Sequence, residues 1–223
     1  MSTTCLIPAY DEATTIGYVL SQLSQVSAIN QIIVINDGST DNTTQITRQF
    51  NHVTLITHKM NLGKSASIKT GLQVAKNSTI FLCDADLIQL ELSGLNKALQ
   101  IYQTHSLDLL ILRRHPTPLL NRIFKANLML SGLRLLSSNS LASVLNHPLL
   151  PYQIELAINV YMLTHHKSIA QALIPYSDLH KITKLGYVRG FLQEISMYAS
   201  LTKLLDYWKQ LFTFNPPIIS LVK

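Results

Sequence analysis

The sequence is poor in long apolar runs, in charge and in cysteine. No stretch of about 18 or more apolar residues occurs, so no membrane-spanning helix is expected. Charged residues make up only 13% of the 223 residues and hydrophobic ones 47%, which indicates a globular protein with a large core. The two cysteines, Cys5 and Cys83, lie in apolar strand-like runs. We interpret them as core thiols rather than a disulfide or a metal pair.

Dense clusters of lysine and arginine are also absent, which makes nucleic acid the least expected partner. The first residues lack the basic start and apolar core of a secretory signal, so the cytoplasm is the expected compartment. The formal net charge is nevertheless +6, which is compatible with a membrane surface or a phosphorylated ligand as partner. Since no linker or repeat interrupts the chain, we predict one domain over 1–223.

Short apolar runs alternate with helical patterns along the chain. Strands are predicted at 3–8, 31–35, 53–57, 80–83, 108–112, 130–136 and 168–176. Helices are predicted at about 14–26, after Asp41 as N-cap, at 65–75, 91–103 and 151–163, and as a tail over 187–214. This alternation predicts an α/β fold, with a mostly parallel sheet flanked by helices and a C-terminal helical appendage.

Polar loops follow three of the predicted strands, and they contain Asp11, Asp37, Asp84 and Asp86. Because the carboxyl ends of parallel strands meet at one edge of a sheet, we expect these loops to form a nucleotide site there. Asp84 and Asp86 stand one residue apart after a buried strand. Two carboxylates in one small volume favour a hard cation such as Mg²⁺ or Mn²⁺. The alternative interpretation of this pair alone is a strand end followed by an Asp-capped turn.

A segment without acidic residues lies between Asp108 and Glu155. Its cations are Arg113, Arg114, Arg122, Lys125 and Arg134. A wholly cationic segment after a candidate metal-binding strand predicts a site for a negatively charged group, and a solvated basic face is the alternative. Glu155 lies between apolar neighbours, where it is either a functional carboxylate or a helix surface residue.

Five motifs between residues 7 and 134 resemble those of family two glycosyltransferases with the GT-A fold, above all the dolichyl-phosphate mannose or glucose synthase type. The motifs are Ile-Pro-Ala-Tyr-Asp-Glu (7–12), Ile-Asn-Asp-Gly-Ser-Thr-Asp (35–41), Asn-Leu-Gly-Lys (61–64), Asp-Ala-Asp-Leu (84–87) and Ser-Gly-Leu-Arg (131–134). The resemblance implies a Rossmann-like GT-A sheet and transfer of a sugar from a donor such as a UDP- or GDP-sugar. We divide the chain accordingly into a nucleotide-sugar half (1–112), an acceptor half (113–184) and a helical tail (185–223).

The resemblance also implies roles for individual residues. The nucleotide-sugar site would comprise Pro8, Ala9, Tyr10, Glu12, Asp37, Gly63, Lys64 and Asp84. The metal, Mg²⁺ or Mn²⁺, would be bound by Asp84 and Asp86, with His180 as a further candidate ligand. The catalytic residues would be Asp86 and Arg134, and we predict an acceptor site from Arg113, Arg114, Ser131, Gly132 and Arg134.

The residue types suit sugar transfer to a phosphate. Departure of a nucleoside diphosphate leaves negative charge, which a metal ion and Lys64 stabilise best if they are fixed beforehand. An ionised phosphate acceptor needs no general base, and the second half of the sequence shows no clear base motif. We therefore expect an anionic acceptor, either a polyprenyl phosphate or a small phosphate ester.

Some positions depart from the family pattern. Asn36 replaces the first aspartate of the usual Asp-Asp-Gly-Ser, Asp11 stands where asparagine is common, and Ile88 stands where some relatives carry a glutamine near the metal. These departures leave a second interpretation open, a non-catalytic nucleotide-sugar-binding or regulatory protein on the same fold. The apolar stripe of the tail, with Trp208 and Phe212, would pack on the core, on a second subunit or on a bilayer.

Overall fold

The computed structural model describes residues 2–114, 125–146, 154–178 and 213–221. The strands are β1 (Thr3–Ala9), β2 (Ile29–Asn36), β3 (Val53–Thr57), β4 (Thr79–Leu82), β5 (Leu87–Leu90), β6 (Leu109–Arg114), β7 (Arg134–Ser137), β8 (Ile169–Ile174), β9 (Tyr176–Asp178) and β10 (Ile218–Ile219). The helices are α1 (Ile16–Leu23), α2 (Thr43–Thr47), α3 (Lys64–Gln73), α4 (Leu92–Thr104), α5 (Ala126–Met129), α6 (Ser138–Leu145) and α7 (Ile154–Thr164). In the described ranges, each helix is too short or too polar to cross a membrane.

One sheet of eight strands organises the fold, in the order β10-β8-β6-β7-β4-β1-β2-β3. Strand β7 runs antiparallel to its neighbours β4 and β6, and the other neighbouring pairs are parallel. The mostly parallel sheet predicted from the alternation of strands and helices is therefore confirmed. Strands β5 and β9 form a separate antiparallel pair.

The reversed direction of β7 brings an additional segment to the site. Its first residue, Arg134, is aligned with Leu82 at the end of β4 and with Ile111 in β6. The residues just before β7 therefore lie beside the carboxyl ends of the parallel strands, where open α/β sheets bind ligands. Segment 131–133 thus joins the loops that follow β1, β2 and β4 at one edge.

Helices cover both faces of the sheet, which explains why the central strands are apolar without alternation. Cys5 and Ile7 of β1 belong to one core cluster and Leu6 to the other. The first cluster includes the buried faces of α1 and α4, and the second includes those of α3, α6 and α7. Cys5 and Cys83 are buried free thiols, consistent with a place in the core.

Several elements differ from the predicted ones. The predicted strand at 168–176 is two strands, because after Pro175 β9 leaves the large sheet and pairs with β5. Asp41 is not the N-cap of α2; that position is Asn42, and the Asp41 carboxylate accepts the N–H and the hydroxyl of Thr43. Helix α6 and strands β5 and β10 are not predicted by the sequence pattern. The predicted tail helix lies almost entirely outside the described residues, and so does His180.

Candidate active site

Asp84 stands at the edge of the sheet, just after β4 ends. The N–H of Cys83 still donates to the carbonyl of Leu6 at 3.1 Å, so the chain follows the sheet up to the residue before Asp84. The buried strand fixes the backbone, while the Asp84 side chain is 30% exposed. A rigid strand thus presents a carboxylate to solvent at the ligand-binding edge.

Lys64, the first residue of α3, bridges two carboxylates. Its ammonium lies 2.7 Å from Asp84 Oδ1 and 2.7 Å from Glu155 Oε1. Burial alone would lower the pKa of Lys64, but the charges and hydrogen bonds of Asp84 and Glu155 raise that pKa above its usual value. The ammonium therefore stays charged across the physiological pH range. This contact joins the strand that carries Asp84 to α7, from the second half of the chain.

Asp37, directly after β2, holds the loop that leads to Lys64. Its Oδ1 accepts the N–H of Leu62 at 3.0 Å and lies 2.7 Å from His58 Nδ1, and its Oδ2 accepts the N–H of Gly63 at 2.7 Å. Burial raises the pKa of the Asp37 carboxyl, but these hydrogen bonds outweigh burial and leave the pKa below its usual value. Gly63 adopts φ +90°, a backbone conformation that other residues rarely adopt.

The loops after β1 and β2 bind each other through their side chains. Asp11 Oδ1 accepts the N–H of Thr40 at 2.7 Å, and the N–H of Asp11 donates to Ser39 Oγ at 3.0 Å. Asn36 Nδ2 donates to Thr44 Oγ1 at 2.6 Å, while Asn36 Oδ1 accepts the N–H of Ser39 at 3.0 Å. Both polar atoms of the Asn36 amide are thus paired, one with the backbone of Ser39 and the other with the side chain of Thr44.

The predicted donor-binding residues of the β1 loop lie at the same edge. Pro8 and Ala9 are the last two residues of β1, and Tyr10, which follows them, is 45% exposed. The N–H of Glu12 donates to Thr43 Oγ1 at 2.8 Å. This geometry fixes the backbone around an exposed aromatic ring.

Gly132 makes the closest approach to Asp84. A Cβ added at Gly132 would lie 2.0 Å from Asp84 Oδ2, so no side chain fits there without moving the carboxylate. The hydroxyl of Ser131 donates to the carbonyl of Leu112 at 2.6 Å and lies 3.5 Å from the hydroxyl of Tyr176. Segment 131–132 is therefore fixed to β6 and closes one side of the Asp84 site.

Arg134 does not lie where an acceptor could reach it. Its side chain is fully buried, and the guanidinium donates to the carbonyls of Ser131 and Met129, both at 2.7 Å, and to Asn159 Oδ1 at 2.6 Å. Burial lowers the pKa of Arg134 to about 10, although the charges of Glu155 and Asp84 act against that shift. This position does not fit the predicted catalytic and acceptor contacts of Arg134. Its hydrogen bonds instead support the segment that carries Gly132.

Arg113 and Arg114 end β6 at the same edge of the sheet. Arg114 Nη1 donates to Asp178 Oδ1 at 2.5 Å, and Arg113 Nη1 donates to Gln171 Oε1. Both side chains are half-buried, and burial lowers the pKa of Arg113. Tyr176 interacts electrostatically with both arginines and with Asp84, and burial together with the nearby carboxylates raises its pKa to about 12. The two arginines are thus oriented by the protein's own polar side chains.

Metal ligands were predicted at Asp84, Asp86 and His180. The described part of the chain contains no group of three or more His, Cys, Asp or Glu side chains arranged to hold an ion. Asp84 and Asp86 nevertheless supply the hard oxygen donors that Mg²⁺ and Mn²⁺ prefer. Their number suits an ion that takes its other ligands from substrate phosphates and water, so the residues fit such a cation.

The structure links four of the predicted residues, Lys64, Asp84, Ser131 and Gly132, by direct contact, close approach or adjacency in the chain. It adds three residues that the sequence did not single out as part of the site. These are His58, Tyr176 and, at the centre of the charge cluster, Glu155. Only Glu155 had a signal, a carboxylate on an otherwise apolar helix, which requires a partner when it is buried.

The model of the family described as glycosyl transferase family 2 matches residues 4–158, more than half of the chain. The chain belongs to this family. The family resemblance predicted from the five motifs is therefore confirmed.

Two characterised members illustrate how partial the sequence likeness is. A dolichyl-phosphate beta-glucosyltransferase of Trichomonas vaginalis is 33% identical over 97 residues, which cover 38% of this chain and 29% of that enzyme. A poly-beta-1,6-N-acetyl-D-glucosamine synthase of Staphylococcus epidermidis is 34% identical over 87 residues, which cover 37% of this chain and 21% of that enzyme. This family 2 chain thus matches less than a third of the length of either relative.

Solved structures share the fold over a larger part of the chain. Glucosyl-3-phosphoglycerate synthase from Mycobacterium tuberculosis, in complex with Mn²⁺, UDP and phosphoglyceric acid, has a TM-score of 0.72 at 18% identity. The match covers 92% of this chain and 78% of that one. The complex of the same enzyme with Mg²⁺ and UDP has a TM-score of 0.67, covering 86% and 78%. The predicted GT-A fold is confirmed.

Proposed function

We propose that this family 2 chain transfers a sugar from a nucleoside-diphosphate-sugar to an anionic, phosphorylated acceptor. The observation that carries the proposal is the pairing of Lys64 with Asp84 at the edge of the sheet. A charged ammonium and an exposed carboxylate there can bind the diphosphate of a donor directly and through a cation. The M. tuberculosis enzyme that shares the fold binds UDP-glucose and phosphoglyceric acid, which supports the same classes of ligand here.

The donor would lie across the loops after β1 and β2. The exposed ring of Tyr10 offers a face for the nucleobase, and Pro8, Ala9 and Glu12 border it. Asp37 acts through the loop it holds, because both of its carboxylate oxygens accept N–H groups that fix the backbone before Lys64. Lys64 would then stabilise the charge that develops on the departing diphosphate, and a lysine held in place beforehand serves this best.

Asp84 and Asp86 would bind Mg²⁺ or Mn²⁺ together with that diphosphate. The Mn²⁺ and Mg²⁺ complexes of the structural neighbour support this assignment. A cation bound there neutralises charge on the leaving group. Asp84 can serve as ligand because it is 30% exposed, and the missing side chain of Gly132 leaves space for its carboxylate.

The acceptor would enter beside β6 and β7. Arg113 and Arg114 supply positive charge there, and Ser131 with Gly132 forms the wall next to Asp84. In this arrangement residues 1–112 form the donor half and 113–184 the acceptor half. A phosphate oxygen is already ionised at neutral pH, so it can attack the sugar carbon without a general base.

The test combines binding with product analysis. Thermal shift is measured with UDP-, GDP-, ADP- and TDP-sugars, each with and without Mn²⁺, because a ligand of the folded state raises the unfolding midpoint. The donor that binds is then incubated with phosphoglyceric acid, with a polyprenyl phosphate in detergent, and with a neutral monosaccharide, and products are identified by mass spectrometry.

We expect a shift that requires both one nucleotide and the metal, followed by transfer to one of the two phosphates. Asp86→Ala should abolish the metal-dependent part of the shift. Transfer to the neutral sugar alone contradicts the acceptor assignment. Binding without transfer or hydrolysis would instead favour the non-catalytic nucleotide-sugar-binding protein.

A further inference from the structure

The Lys64 ammonium has two carboxylate partners at equal distance, and they differ in access. Lys64 and Asp84 are 34% and 30% exposed, whereas Glu155 is 9% exposed. A ligand from solution can therefore compete for Asp84 but hardly for Glu155. Leaving a buried carboxylate without a cation is costly, so the contact between Lys64 and Glu155 is the one that persists.

Two cations act on this pair of carboxylates, and they differ in how firmly they are held. Lys64 contacts Asp84 and Glu155 directly, and the buried guanidinium of Arg134 acts on both through its charge. Arg134 is bound to Asn159 and to backbone carbonyls, so it is fixed in place. Only Lys64 can exchange one partner for another without disturbing the core.

We propose that Glu155 is a positioning residue that keeps Lys64 in an ion pair while a divalent cation binds Asp84. This inference rests on the proposed function, since it assumes that the cation of the donor complex binds Asp84. With a cation bound at Asp84, the Lys64 ammonium would keep Glu155 Oε1 as its partner and would act beside the donor's diphosphate. Glu155 thereby lowers the free-energy cost of displacing Lys64 from Asp84, and it fixes the position of the Lys64 ammonium.

Removing the Glu155 charge and removing the Lys64 charge should therefore change the affinity for the cation in opposite directions. With Glu155→Gln, Lys64 keeps Asp84 as its only carboxylate, and the cation must break that ion pair completely. We expect the affinity for Mn²⁺ to fall about tenfold, because the cation then competes with the whole Lys64–Asp84 ion pair at a partly exposed site. With Lys64→Ala the competitor for Asp84 is gone, so Mn²⁺ alone should bind more tightly than in the wild-type chain.

The experiment measures Mn²⁺ binding to the full chain by the loss of the free-ion signal in electron paramagnetic resonance, with Mn²⁺ alone and with UDP. The variants are Glu155→Gln, Glu155→Asp, Lys64→Ala and the double variant Glu155→Gln with Lys64→Ala. We expect Glu155→Asp to regain part of the affinity lost in Glu155→Gln. The double variant should behave like Lys64→Ala, because Glu155 acts through Lys64. Circular dichroism establishes that each variant is folded, and Glu155→Asp keeps the test usable if Glu155→Gln is not.

Asp84→Asn distinguishes failure of this inference from failure of the proposed function. If the wild-type chain binds no Mn²⁺ that Asp84→Asn removes, both are wrong. If binding depends on Asp84 but is unchanged in Glu155→Gln, the inference alone is wrong and Glu155 has only a structural role. The inference is also overturned if Glu155→Gln lowers the affinity for Mn²⁺ equally with and without Lys64. The carboxylate would then act on the cation directly.

Discussion

At the scale of single residues, Gly132 is the position where adding one methyl group should most affect donor binding. Gly132→Ala should move Asp84, because the added Cβ would lie 2.0 Å from Asp84 Oδ2. We expect the thermal shift caused by UDP with Mn²⁺ to be lost and turnover to fall at least about tenfold, the cost of about 1.4 kcal/mol at the transition state.

The control for Gly132→Ala is Gly17→Ala in α1. There the added Cβ would lie 3.3 Å from Ile46 Cγ2, a contact that a flexible side chain can relieve, and it would touch no atom of Asp84. Gly17→Ala should bind UDP with Mn²⁺ as the wild-type chain does. Unchanged nucleotide binding in Gly132→Ala would mean that Asp84 does not need its present orientation.

Asp37 should contribute to stability in a pH-dependent way. Its pKa in the folded chain lies below the ordinary value of 3.8, so its stabilising effect is complete above about pH 5 and is lost as the pH falls through the folded pKa. The groups that face it are His58, Ser67 and the N–H groups of Leu62 and Gly63. Asp37→Asn should cost about 2 kcal/mol at pH 7 and progressively less toward pH 3.

Urea unfolding at pH 7, 5, 4 and 3 measures that difference. The two unfolding free energies should converge toward acidic pH, because the protonated carboxyl of the wild-type chain resembles the amide. A constant gap between wild type and Asp37→Asn would show that the lost contribution comes from packing and not from the carboxylate charge.

At the scale of elements, the N-cap of α6 should make a measurable contribution to the free energy of unfolding. Ser137, its N-cap, accepts the N–H of Ser140 at 3.1 Å. Ser137→Ala should lower the unfolding free energy by about 1 kcal/mol, the typical cost of losing a helix cap. Ser143→Ala on the same helix is the matched control, since that hydroxyl only donates to the carbonyl of Asn139. Equal losses in the two variants would mean that the cap bond contributes nothing.

The same scale shows how far sequence patterns reach. The apolar spacing of Ile16, Val19, Leu20 and Leu23 predicts α1 because a helix buries one face. The direction of β7 could not be predicted, since a short apolar strand pairs equally well in either direction and its partners decide. The pairing of β5 with β9 joins segments 86 or more residues apart, which no local pattern records.

Some residues of the candidate site could be expected from the sequence, and the burial of Arg134 could not. Asp84 was expected at the edge of the sheet because it follows a buried strand, whereas Lys64 and Gly132 were expected there from the family resemblance. Arg134 was expected at the acceptor site from the family resemblance, and its burial could not be predicted because most arginines reach solvent. Its burial depends on the carbonyls of 129 and 131 and on Asn159 in α7, which come together only in the folded chain.

At the scale of the whole molecule, Gln171 joins three segments that lie far apart in the sequence. Its Oε1 accepts from Arg113, its Nε2 donates to the carbonyl of Pro216, and its own backbone belongs to β8. Gln171→Met should destabilise the chain by about 2 kcal/mol, because it leaves a buried donor and a buried acceptor without these bonds. Gln25→Met is the control, since the exposed Gln25 donates only to the carbonyl of Ser21.

Urea unfolding measures both glutamine variants. We further expect Gln171→Met to impair sugar transfer more than donor binding, since it releases Arg113 on the acceptor side. A variant with wild-type stability and activity would show that this linkage is dispensable.

The order of the strands also governs how the chain reaches its native state. Strand β1 is made first but lies in the middle of the sheet, between β2 and β4, and the far side of β4 is covered only by β7. During synthesis, β4 therefore presents an open edge until residues 134–137 have left the ribosome. Such an edge can pair with another chain. About fifty residues are synthesised between β4 and β7, at roughly 5–20 residues per second, and during this time the nascent protein is prone to aggregate. A chaperone that covers the open edge of β4 during this time should raise the soluble yield.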